Sequence, residues 1–126
     1  MVVETCHLRE IGGYSLFQCR PCLIADLLCV AADNTIRVYS VLSGQLVLIL
    51  NGHTDTITSL CPHPHNTYQL ISSSLDGTVK IWASDDGILL KNVVISEETP
   101  SPVFGVKAVK KGIHFITGTG EDLNYW

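Results

Sequence analysis

The sequence predicts an all-β chain assembled from repeated four-stranded units. Three observations predict it: short β-branched and aromatic runs punctuated by turn residues, a repeat period of 43 residues, and one stretch in which the pattern is complete. That stretch runs from Gly52 to Trp82. It opens on a Gly-His pair and closes on Trp82, 29 residues after His53. Between these ends lie β-type runs at Ile57 to Cys61 and Tyr68 to Ser73. The tight turn at Asp76-Gly77 then feeds a third run, Thr78 to Trp82.

The rest of the chain is phased against this unit. Tyr39, Trp82 and Tyr125 are each 43 residues apart, and Asp33 and Asp76 each stand six residues before their aromatic. The segments Asn34 to Ser40, Gly77 to Ala83 and Glu121 to Trp126 align. A period of this length suits propeller blades of four strands. The first repeat, about residues 10–50, is expected to place strands at Tyr14 to Gln18, Leu27 to Ala31, Thr35 to Ser40 and Gln45 to Leu50. It is degraded: Glu10 stands where His53 does, and Tyr39 where Trp82 does. The second, about residues 52–95, adds a last strand at Ile88 to Ile95 after the Asp85-Asp86-Gly87 turn. The third, about residues 101–126, is partial, with strands expected at Val103 to Val109, Ile113 to Thr117 and Asp122 to Trp126.

Composition excludes several classes. Hydrophobic residues are 46% of the 126 and charged residues only 16%, so nearly every segment has apolar surface to bury. The formal net charge of -4 speaks against a protein that coats nucleic acid. No apolar run reaches the roughly 18 to 20 residues that span a bilayer. The start, MVVETCHLRE, lacks the basic and then apolar order of a signal peptide. These features predict an intracellular protein whose five cysteines, an odd number, stay reduced.

The pattern from Gly52 to Trp82 resembles the WD-repeat family of β-propellers, here with about three blades. Propellers close with about 4 to 8 blades, so three repeats are expected to be the N-terminal part of a longer ring, cut within its third blade. Residues 2–6 are expected to supply a ring-closing strand. The resemblance implies a hydrogen-bonded tetrad of His53, Ser72, Asp76 and Trp82. Its chemistry is consistent: a carboxylate accepts from the imidazole, the ring bonds the Ser72 hydroxyl, and that hydroxyl accepts the indole N–H. Ala83 departs from the family pattern by replacing the Asp that usually follows the Trp.

Rival chemistries are weaker. His53, Asp76 and Ser72 read as a catalytic triad lack a G-x-S-x-G elbow and have blade spacing instead. Cys19-x-x-Cys22 has metal-ligand spacing, with Cys6, His7, Cys61, His63 and His65 as conceivable partners. No second pair completes a zinc site, and Cys22 and Cys29 fall at apolar positions, where free cysteine packs as a small hydrophobe. The expectation is no metal, no cofactor and no catalytic residue. Lys107, Lys110 and Lys111 form a small basic cluster near a turn, which reads as solvated surface or, alternatively, as a phosphate or RNA contact. The resemblance to propeller scaffolds implies protein contact at the loops holding His63, His65 and Asn66 and holding Asp85 and Asp86.

A finer resemblance rests on IRVYS at Ile36 to Ser40, PHPHNTYQL at Pro62 to Leu70, SLDGTVKIW at Ser74 to Trp82, and DGILLK at Asp86 to Lys91. These are similar to the opening blades of nucleolar WD-repeat subunits of the small-subunit processome, in its t-UTP (UtpA) module. That resemblance implies a nuclear, nucleolar scaffold for pre-rRNA transcription and 18S rRNA processing. Its partners would be other t-UTP subunits and the pre-rRNA 5′ external spacer. The alternatives are an adaptor in another complex, such as a ubiquitin-ligase substrate receptor or signalling scaffold, and a Cys/His metal or thiol enzyme.

Overall fold

A computed structural model describes residues 19–95, 101–109, 112–119 and 122–125. The expected strands at 14–18 and 2–6 lie outside the described residues, as do Cys6, His7, Glu10, Lys110, Lys111 and Trp126.

Among the described residues all regular structure is β, in three antiparallel sheets taken in chain order. The first holds β1 (Cys22–Ile24), β2 (Leu27–Ala32), β3 (Thr35–Ser40) and β4 (Leu46–Leu50). The second holds β5 (Ile57–Pro62), β6 (Gln69–Ser74), β7 (Thr78–Ala83) and β8 (Leu89–Val94). The third holds β9 (Val103–Val109), β10 (Gly112–Thr119) and β11 (Asp122–Tyr125). Within each sheet, every strand pairs with its sequence neighbour, because the connections between them are short enough to return the chain directly.

Two turns differ between the first and second sheets, and both alter the sequence phasing. In the first sheet a two-residue turn, Ala25-Asp26, joins β1 to β2, with Ala25 at φ 52°. The second sheet uses the longer loop 63–68 at that place, where Tyr68 takes φ 63° and so stays out of β6. The strand that pairs with β2 is therefore Cys22–Ile24, several residues later than a fixed period of 43 places it. The second difference lies between the middle strands. Asp33-Asn34 alone closes the β2–β3 hairpin, with Asp33 at φ 53°, whereas β6 and β7 are joined through Leu75-Asp76-Gly77, with Gly77 at φ 84°. Tyr39 pairs with Leu28 and Trp82 with Leu70. The offset is thus 43 on β3 and β7 but 42 on β2 and β6. In register terms Val30, opposite Arg37, is the counterpart of Ser72, opposite Lys80.

The sheets stack face to face. Leu70, Trp82 and Ile57 of the second pack on Cys22, Ile24, Leu27, Cys29, Ile36, Val38 and Leu50 of the first. The opposite face, with Ile71 and Val79, packs on Val103 and Val106 of the third. Both faces of β6 are thereby buried from Leu70 to Ser74. Each fully buried aliphatic side chain contributes about 1.5–3 kcal/mol. The outer strands carry apolar side chains that are exposed, among them Val47 and Ile49 on β4 and Leu90 and Val94 on β8.

Polar contacts fix how the sheets sit on each other. The Ile57 N–H donates to the Asp33 carbonyl at 2.7 Å. On the other face the Thr58 hydroxyl donates to the Val103 carbonyl at 2.7 Å and lies 2.8 Å from Ser73 Oγ. Ser59 Oγ reaches the Val106 carbonyl at 3.4 Å. Thr58→Val keeps the shape and removes the buried hydroxyl that meets the Val103 carbonyl and Ser73 Oγ. It is expected to lower stability by about 1–3 kcal/mol. The exposed Thr54→Val should stay within about 0.5 kcal/mol, with denaturant midpoints of the two variants as the comparison.

Candidate functional site

The β4–β5 link and the β6–β7 turn lie at one end of the second sheet, because antiparallel strands return the chain to that end. The link carries His53 and the turn carries Asp76; Ser72 lies on β6 and Trp82 on β7. His53 Nδ1 is 2.9 Å from Asp76 Oδ2, and its Nε2 is 2.6 Å from Ser72 Oγ. The Trp82 indole N–H donates to the same Ser72 oxygen at 2.9 Å. Donor capacity sets the protons. The carboxylate only accepts, so Nδ1 carries hydrogen; Nε2 then accepts the Ser72 O–H, whose oxygen accepts the indole. The four residues form one chain from indole to carboxylate.

Further donors converge on Asp76. The Thr54 N–H reaches Oδ2 at 3.0 Å, and the Thr78 N–H and O–H reach Oδ1 at 2.9 and 2.6 Å. Thr78 Oγ1 also lies 3.2 Å from His53 Nδ1. Burial pushes the Asp76 carboxyl up. The hydrogen bonds from His53, Thr78 and the Thr54 amide outweigh it and hold the group well below the usual carboxylate range. Gly52 abuts the indole, and a Cβ there would fall 2.8 Å from Trp82 Cη2. Ser72 is fully buried between its two partners, so its hydroxyl has no exposure to a solvent-borne substrate.

The opposite end of the sheets is built differently. It carries the Ala25-Asp26 turn, residues 41–45, the 63–68 loop and the 84–88 turn. His63 Nδ1 accepts the amides of His65 and Asn66, each at 3.2 Å, and Asn66 Nδ2 donates to Gln69 Oε1 at 3.2 Å. With Leu23, Ile24 and Ala25 this loop lines a cleft of about 230 Å³. The Asp86 N–H donates to Asp85 Oδ1, and the hydrogen bond and charge of Asp85 push the exposed Asp86 carboxyl upward. β9 runs in the same direction as β5, since Thr58 and Ser59 meet Val103 and Val106 in order. Exposed Lys107, near the end of β9, therefore lies on the same rim as His63, His65, Asn66, Asp85 and Asp86.

Four described cysteines are free thiols. Burial pushes Cys19 up to about 11 and Cys22 and Cys29 up to about 12, and it raises Cys61 as well. A thiol so shifted is protonated at neutral pH and a poor nucleophile. Among the described residues no three of His, Cys, Asp and Glu converge as a ligand set.

Comparison with known proteins decides the family. Residues 24–123 match the family described as the first β-propeller of WD repeat-containing protein 75. The chain belongs to that family. WD repeat-containing protein 75 of Mus musculus is 39% identical over 98 residues, covering 75% of this chain and 12% of the relative. The chain thus spans about one eighth of that relative's length. Ribosome biogenesis protein ytm1 of Aspergillus clavatus is 44% identical over 52 residues, 36% of this chain and 11% of the relative. Among solved structures, that of U3-55K superposes with a TM-score of 0.70 at 20% identity, over 87% of this chain and 33% of the other, which shows a shared fold.

Within this WD-repeat propeller segment, two contributors were not anticipated from sequence. Thr78 supplies two donors to Asp76, and its position two residues after the Asp in the turn was the available signal. Gly52 is needed for its missing side chain, which only the packed indole reveals. The depressed Asp76 group also sets an acid dependence. Its stabilisation is complete above the unfolded-state carboxylate value of about 4. It drains as pH falls below that value and is gone once pH has passed through the lower folded-state value. Unfolding free energy of the full-length protein should therefore fall between about pH 5 and pH 2, and Asp76→Asn should flatten that limb.

Proposed function

We propose that this chain is part of a non-catalytic WD-repeat scaffold in ribosome biogenesis. The match of residues 24–123 to the first propeller of WD repeat-containing protein 75 carries the reading, and the likeness to a ribosome biogenesis protein supports it. The proposed setting is the nucleolus, in the small-subunit processome. There the protein would support pre-rRNA transcription and 18S rRNA processing beside other t-UTP (UtpA) subunits. His53, Ser72, Asp76 and Trp82 are proposed to be structural. They brace one end of the blade, while the opposite rim presents His63, His65, Asn66, Asp85 and Asp86 to protein partners. Lys107, Lys110 and Lys111 are proposed to reach the pre-rRNA 5′ spacer. Propellers suit such work because their rims offer many loops on a rigid body.

The test is to tag the full-length protein, follow its location and recover crosslinked RNA and co-purifying proteins. Nucleolar signal, recovered 5′ spacer and t-UTP subunits are expected, together with a drop in 18S rRNA on depletion. Lys107→Glu should reduce RNA crosslinking without changing the melting temperature. A protein that resides elsewhere and recovers neither spacer nor t-UTP subunits would overturn the proposal.

A further inference from the structure

The β4–β5 link carries a chemically labile pair. Of Asn34, Asn51, Asn66, Asn92 and Asn124, only Asn51 precedes a glycine. Asn51 is exposed, although Leu50 before it and His53 after it are 1% and 4% exposed. Among the described residues the Asn51 carboxamide has no hydrogen-bond partner, whereas Asn66 bonds Gln69 and Asn92 accepts from Lys80. The Gly52 amide is also outside the hydrogen bonds that tie the neighbouring strands. Gly52 has no side chain to shield its nitrogen, and none can be added, because a Cβ would meet the Trp82 ring at 2.8 Å. The packing that requires glycine at this position thus maintains the Asn-Gly pair.

We propose that Asn51 is a site of spontaneous deamidation, converting the link ahead of His53 to aspartate and isoaspartate. The Gly52 backbone nitrogen attacks Asn51 Cγ, a C–N bond forms, and the side-chain nitrogen leaves as ammonia with the amide proton. Water then opens the succinimide at either carbonyl. Opening at the backbone carbonyl leaves the chain running through the former side chain, with one extra methylene between Leu50 and Gly52. Because Leu50 and His53 on either side are held in the packed interior, that longer backbone displaces His53 from Asp76 and Ser72. Asparagine is among the residues that limit protein lifetime at elevated temperature.

The test ages folded full-length protein in mildly alkaline buffer at body temperature, with peptide mass spectrometry and enzymatic isoaspartate methylation as readouts. The expected result is replacement of the Asn51 amide by a hydroxyl, with Asn51 modified ahead of the other four asparagines and methylation growing in parallel. Asn51→Gln, which would need a six-membered ring, should lose the methylation signal. The aged fraction, separated by charge, should melt below fresh protein, and Asn51→Asp, which adds charge but no backbone atom, should melt close to it. Failure of folded protein to react at Asn51 while urea-unfolded protein reacts there would overturn the proposal, as would earlier reaction at another asparagine. An aged, isoaspartate-bearing fraction that melts with fresh protein would overturn the displacement of His53.

Discussion

Trp82→Ala is expected to cost the full-length protein about 3–5 kcal/mol, the range for removing a large buried aromatic. The indole is 2% exposed and lies between Gly52 and the apolar side chains of the first sheet. Truncation opens a void between two sheets that cannot close, because the strands on both sides are hydrogen-bonded into their own ladders. It also removes the N–H that Ser72 Oγ accepts. Trp82→Phe separates the two effects: it keeps most of the apolar volume and should cost distinctly less than the alanine change. Denaturant midpoints at fixed protein concentration measure both. A loss below about 1 kcal/mol for Trp82→Ala, no more than an ordinary point substitution gives, would show that the indole does not fill the inter-sheet space.

His53→Ala follows, with an expected loss of about 1–3 kcal/mol from unpairing buried polar groups. The loss is bounded because Asp76 keeps the amides of Thr54 and Thr78 and the Thr78 hydroxyl. The Ser72 proton loses its acceptor, while its oxygen keeps the indole. A double-mutant cycle with Asp76→Ala should show coupling of about 0.5–3 kcal/mol, as expected for residues in direct contact. Strict additivity would show that the imidazole and the carboxylate act separately. His53→Ala should also weaken the acid dependence, since one of the donors that lowers Asp76 is gone.

Much of the architecture was legible from local signals. Asp76-Gly77 marks a hairpin because Gly tolerates φ 84°, and side chains along β7 alternate faces, with Trp82 packed toward the first sheet and Val79 and Ile81 toward the third. The order of His53, Ser72, Asp76 and Trp82 along the chain was enough to nominate them together, because each lies at a fixed place in a repeated strand pattern. Loop lengths resisted the same treatment. Ala25 adopts left-handed backbone without being glycine, so composition did not announce the Ala25-Asp26 turn, whereas Asp33-Asn34 falls where the sequence places an Asp turn.

The sequence by itself determined that this is repeated β-blade material, where its middle strands run, and which four polar residues belong to one blade. Those are properties of spacing and side-chain chemistry, and they hold before any two sheets meet. Only the tertiary structure decided the register between β2 and β3, with Val30 where the second sheet has Ser72. It alone decided that Gly52 must lack a side chain, and that one rim gathers Lys107 with the loops around His63 and Asp85. The physical reason is that these depend on which surfaces come into contact. A turn one residue shorter, or an indole laid across a backbone, changes those surfaces without changing the pattern along the chain.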